Sequence, residues 1–144
     1  MGIDANEDAK ETLTGSCLCG GVHYEARGPL VAMARCHCVQ CRKASGAEFA
    51  TNGSVATEHF RVSAGEELLN EYESSAGQFR VFCKRCGVRV YTRGYVEQIG
   101  GHYVSVMLST LDDLPPAALA AAPVRYMNGR DDDWFHPPTE TAHL

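Results

Sequence analysis

The stretch Cys36-His37-Cys38-Val39-Gln40-Cys41 places three thiols within six residues. A thiolate is a soft, charged sulfur ligand, and zinc is the metal that proteins most often bind through it. This spacing lets one short loop supply three ligands to a single ion. Because zinc is usually tetrahedral, the fourth position must come from elsewhere in the chain, from water or from a substrate. A closed four-ligand site indicates a structural metal, whereas an open site indicates a catalytic one.

The remaining four cysteines form two pairs that lie far apart, Cys17-Leu18-Cys19 and Cys83-Lys84-Arg85-Cys86. The second pair has the spacing of a zinc knuckle, and the glycine after it permits the positive φ that turns backbone N–H groups toward sulfur. Two such pairs can close a four-cysteine site that joins the N-terminal strand to a later hairpin. The sequence alone also permits the first pair to join the central loop, which would leave a two-ligand remainder.

We therefore predict two zinc ions per chain. One is held by a four-cysteine group, Cys17, Cys19, Cys83 and Cys86. The other is held by a three-cysteine group, Cys36, Cys38 and Cys41.

Bulk composition argues against several classes of protein. The chain has 144 residues, of which 44% are hydrophobic and 22% charged, which suits one globular domain. A net charge of -5 argues against generic binding to nucleic acid or to an anionic membrane. The N-terminal residues lack the apolar region of a secretory signal, and no apolar run approaches the ~20 residues of a membrane helix. We expect a cytoplasmic protein whose seven cysteines remain thiols or metal ligands.

Short segments of alternating apolar and polar residues predict a mostly β domain with little helix. The segment Tyr103–Leu108 is the most apolar of them and is predicted to be central. A strand over 47–55 is expected to be interrupted at Asn52-Gly53, and 39–45 is expected to form one or two helical turns that end at Gly46. Residues 1–12 are predicted to be a disordered leader, 13–135 the domain and 136–144 a C-terminal tail.

Three motifs carry a resemblance to a known family. They are Gly15-Ser16-Cys17-Leu18-Cys19-Gly20-Gly21, Cys36-His37-Cys38-Val39-Gln40-Cys41-Arg42-Lys43-Ala44-Ser45-Gly46 and Phe82-Cys83-Lys84-Arg85-Cys86-Gly87. In this order they resemble the glutathione-dependent formaldehyde-activating enzyme family, which includes the centromere protein V domain. The resemblance covers residues 13–135 and implies a single domain of small antiparallel sheets around two zinc sites.

The resemblance also implies a function. The family is assigned as carbon–sulfur lyases, and the reaction proposed for its named member joins glutathione to formaldehyde as S-hydroxymethylglutathione. The four-cysteine group then matches its structural zinc, and the three-cysteine group its catalytic zinc. The chemistry agrees, because an open zinc can lower the pKa of a bound thiol and polarise a carbonyl oxygen. The alternative is a zinc-stabilised binding module without turnover.

Residues beside the three-cysteine loop have open roles. Arg42 and Lys43 could bind the carboxylates of glutathione or could offset thiolate charge. His37 could be the fourth ligand, or could support the site without touching the metal.

Residues near the C-terminus also allow two interpretations. Trp134 and Phe135 could roof a pocket or could pack in the core. The run Asp131-Asp132-Asp133 is interpreted as a solvated turn, since a hard-metal site needs more oxygen ligands. Many family members carry a histidine about nine residues before the aromatic pair, and here Arg125 lies near that place. This departure bears on substrate preference.

Overall fold

The computed structural model describes residues 12–142. The predicted leader therefore lies, apart from Thr12, outside the described residues, as do the last two residues of the tail. The described part contains ten strands: β1 Thr12–Ser16, β2 His23–Arg27, β3 Val31–Cys36, β4 Ala50–Ala56, β5 Phe60–Ala64, β6 Leu69–Ser75, β7 Gln78–Cys83, β8 Arg89–Val96, β9 Gly101–Met107 and β10 Val124–Arg125. Its two α-helices are α1 Val39–Ser45 and α2 Pro116–Ala120. Neither helix has the length or the apolar character needed to cross a bilayer.

The strands form two sheets. The larger one has seven strands in the order β10-β3-β4-β9-β8-β7-β6, and the smaller has three in the order β1-β2-β5. All of these pairings are antiparallel except that of β10 with β3. The prediction of a mostly β fold with little helix is confirmed. Strand β9 lies at the centre of the larger sheet, as its apolar sequence predicts.

One face of the larger sheet covers the main core. Along β9, Val104 and Val106 point into this core, whereas Tyr103 and Ser105, which alternate with them, point to the opposite face. Tyr24 from β2 is fully buried there, and its hydroxyl forms a 2.7 Å hydrogen bond with Thr110. This bond satisfies a polar group that would otherwise be costly to bury. Burial raises the pKa of Tyr24, which stays protonated throughout the physiological range.

Strand β4 differs from its predicted course. The prediction that the strand is interrupted at Asn52-Gly53 is wrong, because Asn52 pairs with Met107 and Gly53 with Val106 in a continuous ladder. A Cβ atom on Gly53 would lie 2.8 Å from Cδ2 of Leu108. The glycine therefore permits close packing inside a strand and does not mark a turn.

Helix α1 is confirmed at both ends. It spans Val39–Ser45, and Gly46 follows in the left-handed conformation with φ of 68°. The N–H of Gly46 donates to the carbonyl of Arg42 at 2.9 Å, which caps the helix C-terminus. The helix thus holds the end of the cysteine-rich loop in one position.

Candidate metal centres and the adjoining cavity

The four-cysteine group is assembled from the loop after β1 and the turn after β7. Its four Sγ atoms all lie within 4.8 Å of one another, close enough to hold a metal ion. Sγ of Cys19 lies 3.5 Å from Sγ of Cys17 and 3.8 Å from Sγ of Cys83. The alternative in which the first pair joins the central loop has no support, because this pair lies with the last pair.

Hydrogen-bond donors surround these sulfur atoms. The N–H of Val22 donates to Sγ of Cys17 at 3.3 Å, and Nε of Arg85 donates to Sγ of Cys19 at 3.3 Å. A backbone N–H bond from Val88 lowers the pKa of Cys86 to about 6. Donors to sulfur favour the thiolate, which is the form that binds a metal.

The three-cysteine group is built on the end of β3 and the start of α1. Cys36 ends the strand, Cys38 is the N-cap of the helix, and Cys41 lies in its first turn. The N–H of Cys41 donates to Sγ of Cys38 at 3.3 Å. The three Sγ atoms lie within 4.8 Å of one another, and all three residues are buried. The end of β3 and the start of α1 therefore bring three sulfur ligands together in a buried place.

One thiol of this group is strongly acidified. Hydrogen bonds from Cys36 and Cys38 hold the pKa of Cys41 well below its usual range, and the positive charges of Arg89 and Arg80 act in the same direction. The same contacts raise the pKa of Cys36 and of Cys38, so Cys41 is the thiol of this group that ionises most readily.

Arg89 is a functional candidate that the sequence analysis missed. It lies on β8, where its side chain is buried and its Nε and Nη2 atoms contact Sδ of Met107 at 3.2 and 2.8 Å. Burial lowers its pKa, while the charge of Cys41 opposes this change. Its place between two valines of an alternating strand was visible in the sequence, but the neighbouring thiolate was not.

A cavity of about 220 Å³ borders the three-cysteine group. Its base consists of small side chains that face each other across the larger sheet: Ser54 of β4 pairs with Ser105 of β9, which pairs with Thr92 of β8. Arg80 of β7 continues this row. The described lining residues are Ala32, Ala34, Cys36, Cys41, Asn52, Ser54, Ser74, Gln78, Arg80, Thr92, Val96, Ile99, Tyr103, Ser105, Met127, Trp134 and Phe135.

The segment after β10 covers one side of this cavity. Met127 and Trp134 pack against the three-cysteine group, and Phe135 also lines the cavity. Gly129 permits the close approach, since a Cβ atom there would lie 2.8 Å from Sγ of Cys38 and 3.0 Å from the Trp134 ring. Exposed Phe135 fits the interpretation of a roof over a pocket, whereas Trp134 fits both interpretations, because it lines the cavity and also packs against a buried cluster.

The comparison with known families agrees with this arrangement. A family described as "GFA: Glutathione-dependent formaldehyde-activating enzyme" matches residues 12–128. The chain belongs to this family. The match includes all seven cysteines and ends before Trp134.

Curated relatives of the family are similar over shorter stretches. A Colletotrichum graminicola protein named "Putative glutathione-dependent formaldehyde-activating enzyme" is 40% identical over 58 residues, which are 40% of this chain and 30% of that protein. An uncharacterized lyase of Schizosaccharomyces pombe is 34% identical over 77 residues, 54% of each chain. An Aspergillus flavus protein with the same name as the first is 32% identical over 79 residues, 54% of this chain and 41% of that one. The matches thus span about half, or less, of these relatives' length.

A solved structure shares the fold. It is the crystal structure of a Rhodobacter sphaeroides protein, a structural genomics target, which superposes with a TM-score of 0.62 and 24% identity. The superposition covers 78% of this chain and 99% of that chain. The glutathione-dependent formaldehyde-activating fold of this chain therefore has an experimentally determined counterpart.

In this member of the family, Gln40 ties the cysteine loop to the roof. Its Nε2 atom donates to the carbonyl of Gly129 at 2.8 Å and to Oγ of Ser75 at 3.0 Å, while Nη2 of Arg80 donates to its Oε1 at 3.0 Å. Oγ of Ser75 in turn donates to Oδ1 of Asp132 at 2.5 Å. The network connects α1, β6, β7 and the C-terminal segment. Sequence analysis missed Gln40 because its partners are far away in the chain.

The acidic run after β10 makes local hydrogen bonds. Nδ2 of Asn128 donates to Asp131 at 3.0 Å, and the N–H groups of Phe135 and His136 donate to Asp133, each at 3.1 Å. The hydrogen bonds from Phe135 and His136 lower the pKa of Asp133. The carboxylates thus shape a turn, as predicted, and hold the roof segment in its conformation.

The other predicted site residues lie around the loop. Arg42 and Lys43 are on α1, and neither is among the described residues that line the cavity, so their substrate role stays a prediction. The ring of His37 packs between those of Phe49 and Tyr126, each at 5.1 Å between centroids. His37 is not among the ligand atoms gathered with the three sulfurs.

Proposed function

We propose that this chain is a zinc-dependent carbon–sulfur lyase of the glutathione-dependent formaldehyde-activating type. It forms or cleaves S-hydroxymethylglutathione, or a related thiol adduct, at the three-cysteine group. The proposal includes two zinc ions per chain, the second held by the four-cysteine group, and a small-molecule thiol such as glutathione as partner. The cytoplasm suits this chemistry, because thiols stay reduced there.

The observation that carries the proposal is the unequal placement of the two groups. Cys36 and Cys41 line the 220 Å³ cavity, whereas none of the four-cysteine group is among the described residues that line it. A site with three protein ligands beside an accessible space is the arrangement of a catalytic zinc, and four sulfurs away from such a space are that of a structural one. Family membership supports the same assignment.

The reaction requires no redox partner. A bound zinc ion would supply Lewis acidity and would favour the thiolate form of the substrate sulfur. In the forward direction, a C–S bond forms, the carbonyl π bond breaks, and the proton lost by the thiol ends on the former carbonyl oxygen. In reverse, the C–S bond breaks and the proton returns to sulfur.

The chain's own residues assist in several ways. The buried guanidinium of Arg89 offsets the negative charge of Cys41. Met127 and Trp134 exclude water from the sulfur atoms, which strengthens every charge interaction inside. In this proposal Arg42 and Lys43, on the helix that follows the loop, meet the carboxylates of glutathione outside the cavity.

Exchange spectroscopy tests the proposal. In a mixture of glutathione and ¹³C-formaldehyde, zinc-loaded protein should accelerate the interconversion of free formaldehyde and S-hydroxymethylglutathione above its spontaneous rate. The Cys41→Ser variant, folded and with the four-cysteine group intact, should lose this acceleration. An interconversion rate that wild-type protein leaves at the spontaneous value would contradict the proposal.

A further inference from the structure

We propose that the cavity beside the three-cysteine group binds an apolar carbon group of the thiol adduct, with the size of a short branched chain or a single ring. This inference rests on the proposed function and names its substrate class. The preferred adduct is therefore bulkier at the reacting centre than S-hydroxymethylglutathione. The apolar group can belong to the thiol or to the aldehyde, and both sources share the same chemistry.

The volume of the cavity carries the first part of the argument. A cavity needs only about 10–15 Å³ to hold one water molecule, and the hydroxymethyl group that formaldehyde leaves on sulfur has just two non-hydrogen atoms. The observed 220 Å³ is far larger than that requirement. It is smaller than the roughly 300–1,000 Å³ of pockets for drug-sized ligands. The space suits a group of several carbon atoms.

The rim of the cavity carries the second part. Ile99, Val96, Phe135 and Trp134 all line the cavity, and the surface that faces it is mostly apolar. Ile99 is 49% exposed and Phe135 is 56% exposed. Two large apolar side chains at the mouth of a pocket beside reactive thiols would both gain contacts from an apolar occupant.

The charged residues that line the cavity provide the third part of the argument. Arg80 is the cation among the described lining residues, and these include no aspartate or glutamate. Nε of Arg80 already donates to Ser74 at 2.8 Å, and its Nη2 donates to Gln40. Glutathione carries two carboxylates and an ammonium group, and burying charges without partners is strongly unfavourable. The charged arms of glutathione therefore extend outside, and an apolar group fills the cavity.

The base of the cavity explains why the space exists. Ser54 and Ser105 lie opposite each other on neighbouring strands, where larger β-branched or aromatic residues are usual, and Thr92 beside them also has a short side chain. Ser105 lies between the other two, so its side chain faces the centre of the base. A Ser105→Leu substitution would place three more carbon atoms in this space.

A binding series tests the thiol as the source. Zinc-loaded protein is titrated calorimetrically with methanethiol, phenylmethanethiol and glutathione. Methanethiol reports the open ligand position alone, and phenylmethanethiol adds one ring. We expect phenylmethanethiol to bind at least about tenfold tighter than methanethiol, as burial of an aromatic ring predicts.

A kinetic series tests the aldehyde as the source of the apolar group. With glutathione as the thiol, phenylacetaldehyde should have a KM at least about tenfold below that of acetaldehyde.

Variants test whether the cavity is responsible for the tighter binding or the lower KM of the ligands with a ring. Ser105→Leu should abolish the preference for the ring, because its larger side chain occupies the space that the ring would fill. Ser63→Leu, at an exposed position of β5, is the matched control and should keep the preference. Ile99→Ala changes the exposed rim without threatening the fold, and it should reduce the preference several-fold.

The outcomes separate this inference from the proposed function. A preference in either series that Ser105→Leu or Ile99→Ala reduces supports the inference and identifies the source of the group. Equal values for small and ring-bearing ligands in both series, or a preference that neither variant changes, would overturn it while leaving the lyase proposal intact. Failure of every thiol, methanethiol included, to bind the zinc-loaded protein would overturn both.

Discussion

The two cysteine groups use the same ligand type in opposite surroundings. The four-cysteine group takes its pairs from distant parts of the chain, and its Cys19 is exposed to solvent beside Arg85. The three-cysteine group comes from one loop, is buried, and lies beside both a buried arginine and a cavity. The comparison teaches that sulfur spacing determines where a metal can bind, while burial and neighbouring charge determine what the site can do.

The largest difference is expected in folding. In Cys83→Ala, the four-cysteine group loses a ligand that joins β7 to the loop after β1. We therefore expect this variant to be unfolded at about 37 °C and to show no cooperative thermal transition. Structural zinc contributes an apparent ~10–16 kcal/mol in small zinc-binding peptides, which matches or exceeds the ~5–15 kcal/mol stability of a typical domain. Circular dichroism on heating measures the transition.

Cys38→Ala is the matched variant in the other group. It should retain a cooperative transition but lose the acceleration of adduct exchange. Identical melting curves for Cys38→Ala and Cys83→Ala would remove the distinction between a structural and a reactive group.

The next largest difference between the two groups is expected in how neighbouring cations offset the thiolate charge. Arg89→Met removes the buried cation beside Cys41, and we expect zinc affinity of the three-cysteine group to fall about 10- to 100-fold, as is typical when a residue that supports metal ligands is removed. Competition with a chromophoric chelator measures this affinity. Arg85→Met, at the exposed group, should change affinity less than about threefold because solvent already screens that charge. Equal losses for both variants would mean that burial does not matter here.

Metal removal should also proceed unequally. With three protein ligands rather than four, the three-cysteine group should release its zinc first. Stepwise addition of a chelator should therefore abolish activity before it changes the far-ultraviolet circular dichroism. Elemental analysis of gently purified protein should find two zinc ions per chain. A single, simultaneous loss of activity and structure would contradict the two roles.

The smallest effect is expected at the roof. Gln40→Ala removes hydrogen bonds to Gly129 and Ser75 that hold the roof segment, each worth about 0.5–1.5 kcal/mol. Amide hydrogen exchange in 127–135 should become roughly tenfold faster, while the cores of β8 and β9 keep their protection. Gln98→Ala, at an exposed position, should leave exchange in the roof unchanged. Unaltered protection in Gln40→Ala would show that aromatic packing alone holds the roof.

Local patterns in the sequence predicted much of this molecule. The spacing of the cysteines located two pairs and one three-cysteine loop, because each lies within a short stretch of chain. Only the structure shows that the two pairs join each other and not the loop. Helix α1 was predictable because Gly46 supplies the left-handed residue that ends it. Alternating short segments indicated the β class, and the three motifs together indicated the family.

Features that depend on strand register were not predictable. Arg80 meets the cavity only because β7 pairs with β8 so that Arg80 lies opposite Thr92. Arg89 meets Cys41 because β8 and the cysteine loop converge in space. Their nearness in sequence to the cysteine loop directed attention to Arg42 and Lys43 on α1. The cation among the described residues that line the cavity is Arg80, which lies on β7. Gly53 was misinterpreted for the same reason, since its contact with Leu108 is tertiary.

The central claim is that the three-cysteine group leaves one ligand position open to an external thiol. Cobalt-substituted protein tests it most directly, because the visible absorption of cobalt changes when sulfur joins its ligands. With millimolar glutathione at mildly alkaline pH, we predict a saturable increase in sulfur-to-cobalt absorption that strengthens as pH rises toward the thiol pKa. The increase should be absent in Cys41→Ser. An unchanged spectrum in the wild-type protein would mean that the site is already closed and would favour the zinc-stabilised binding module.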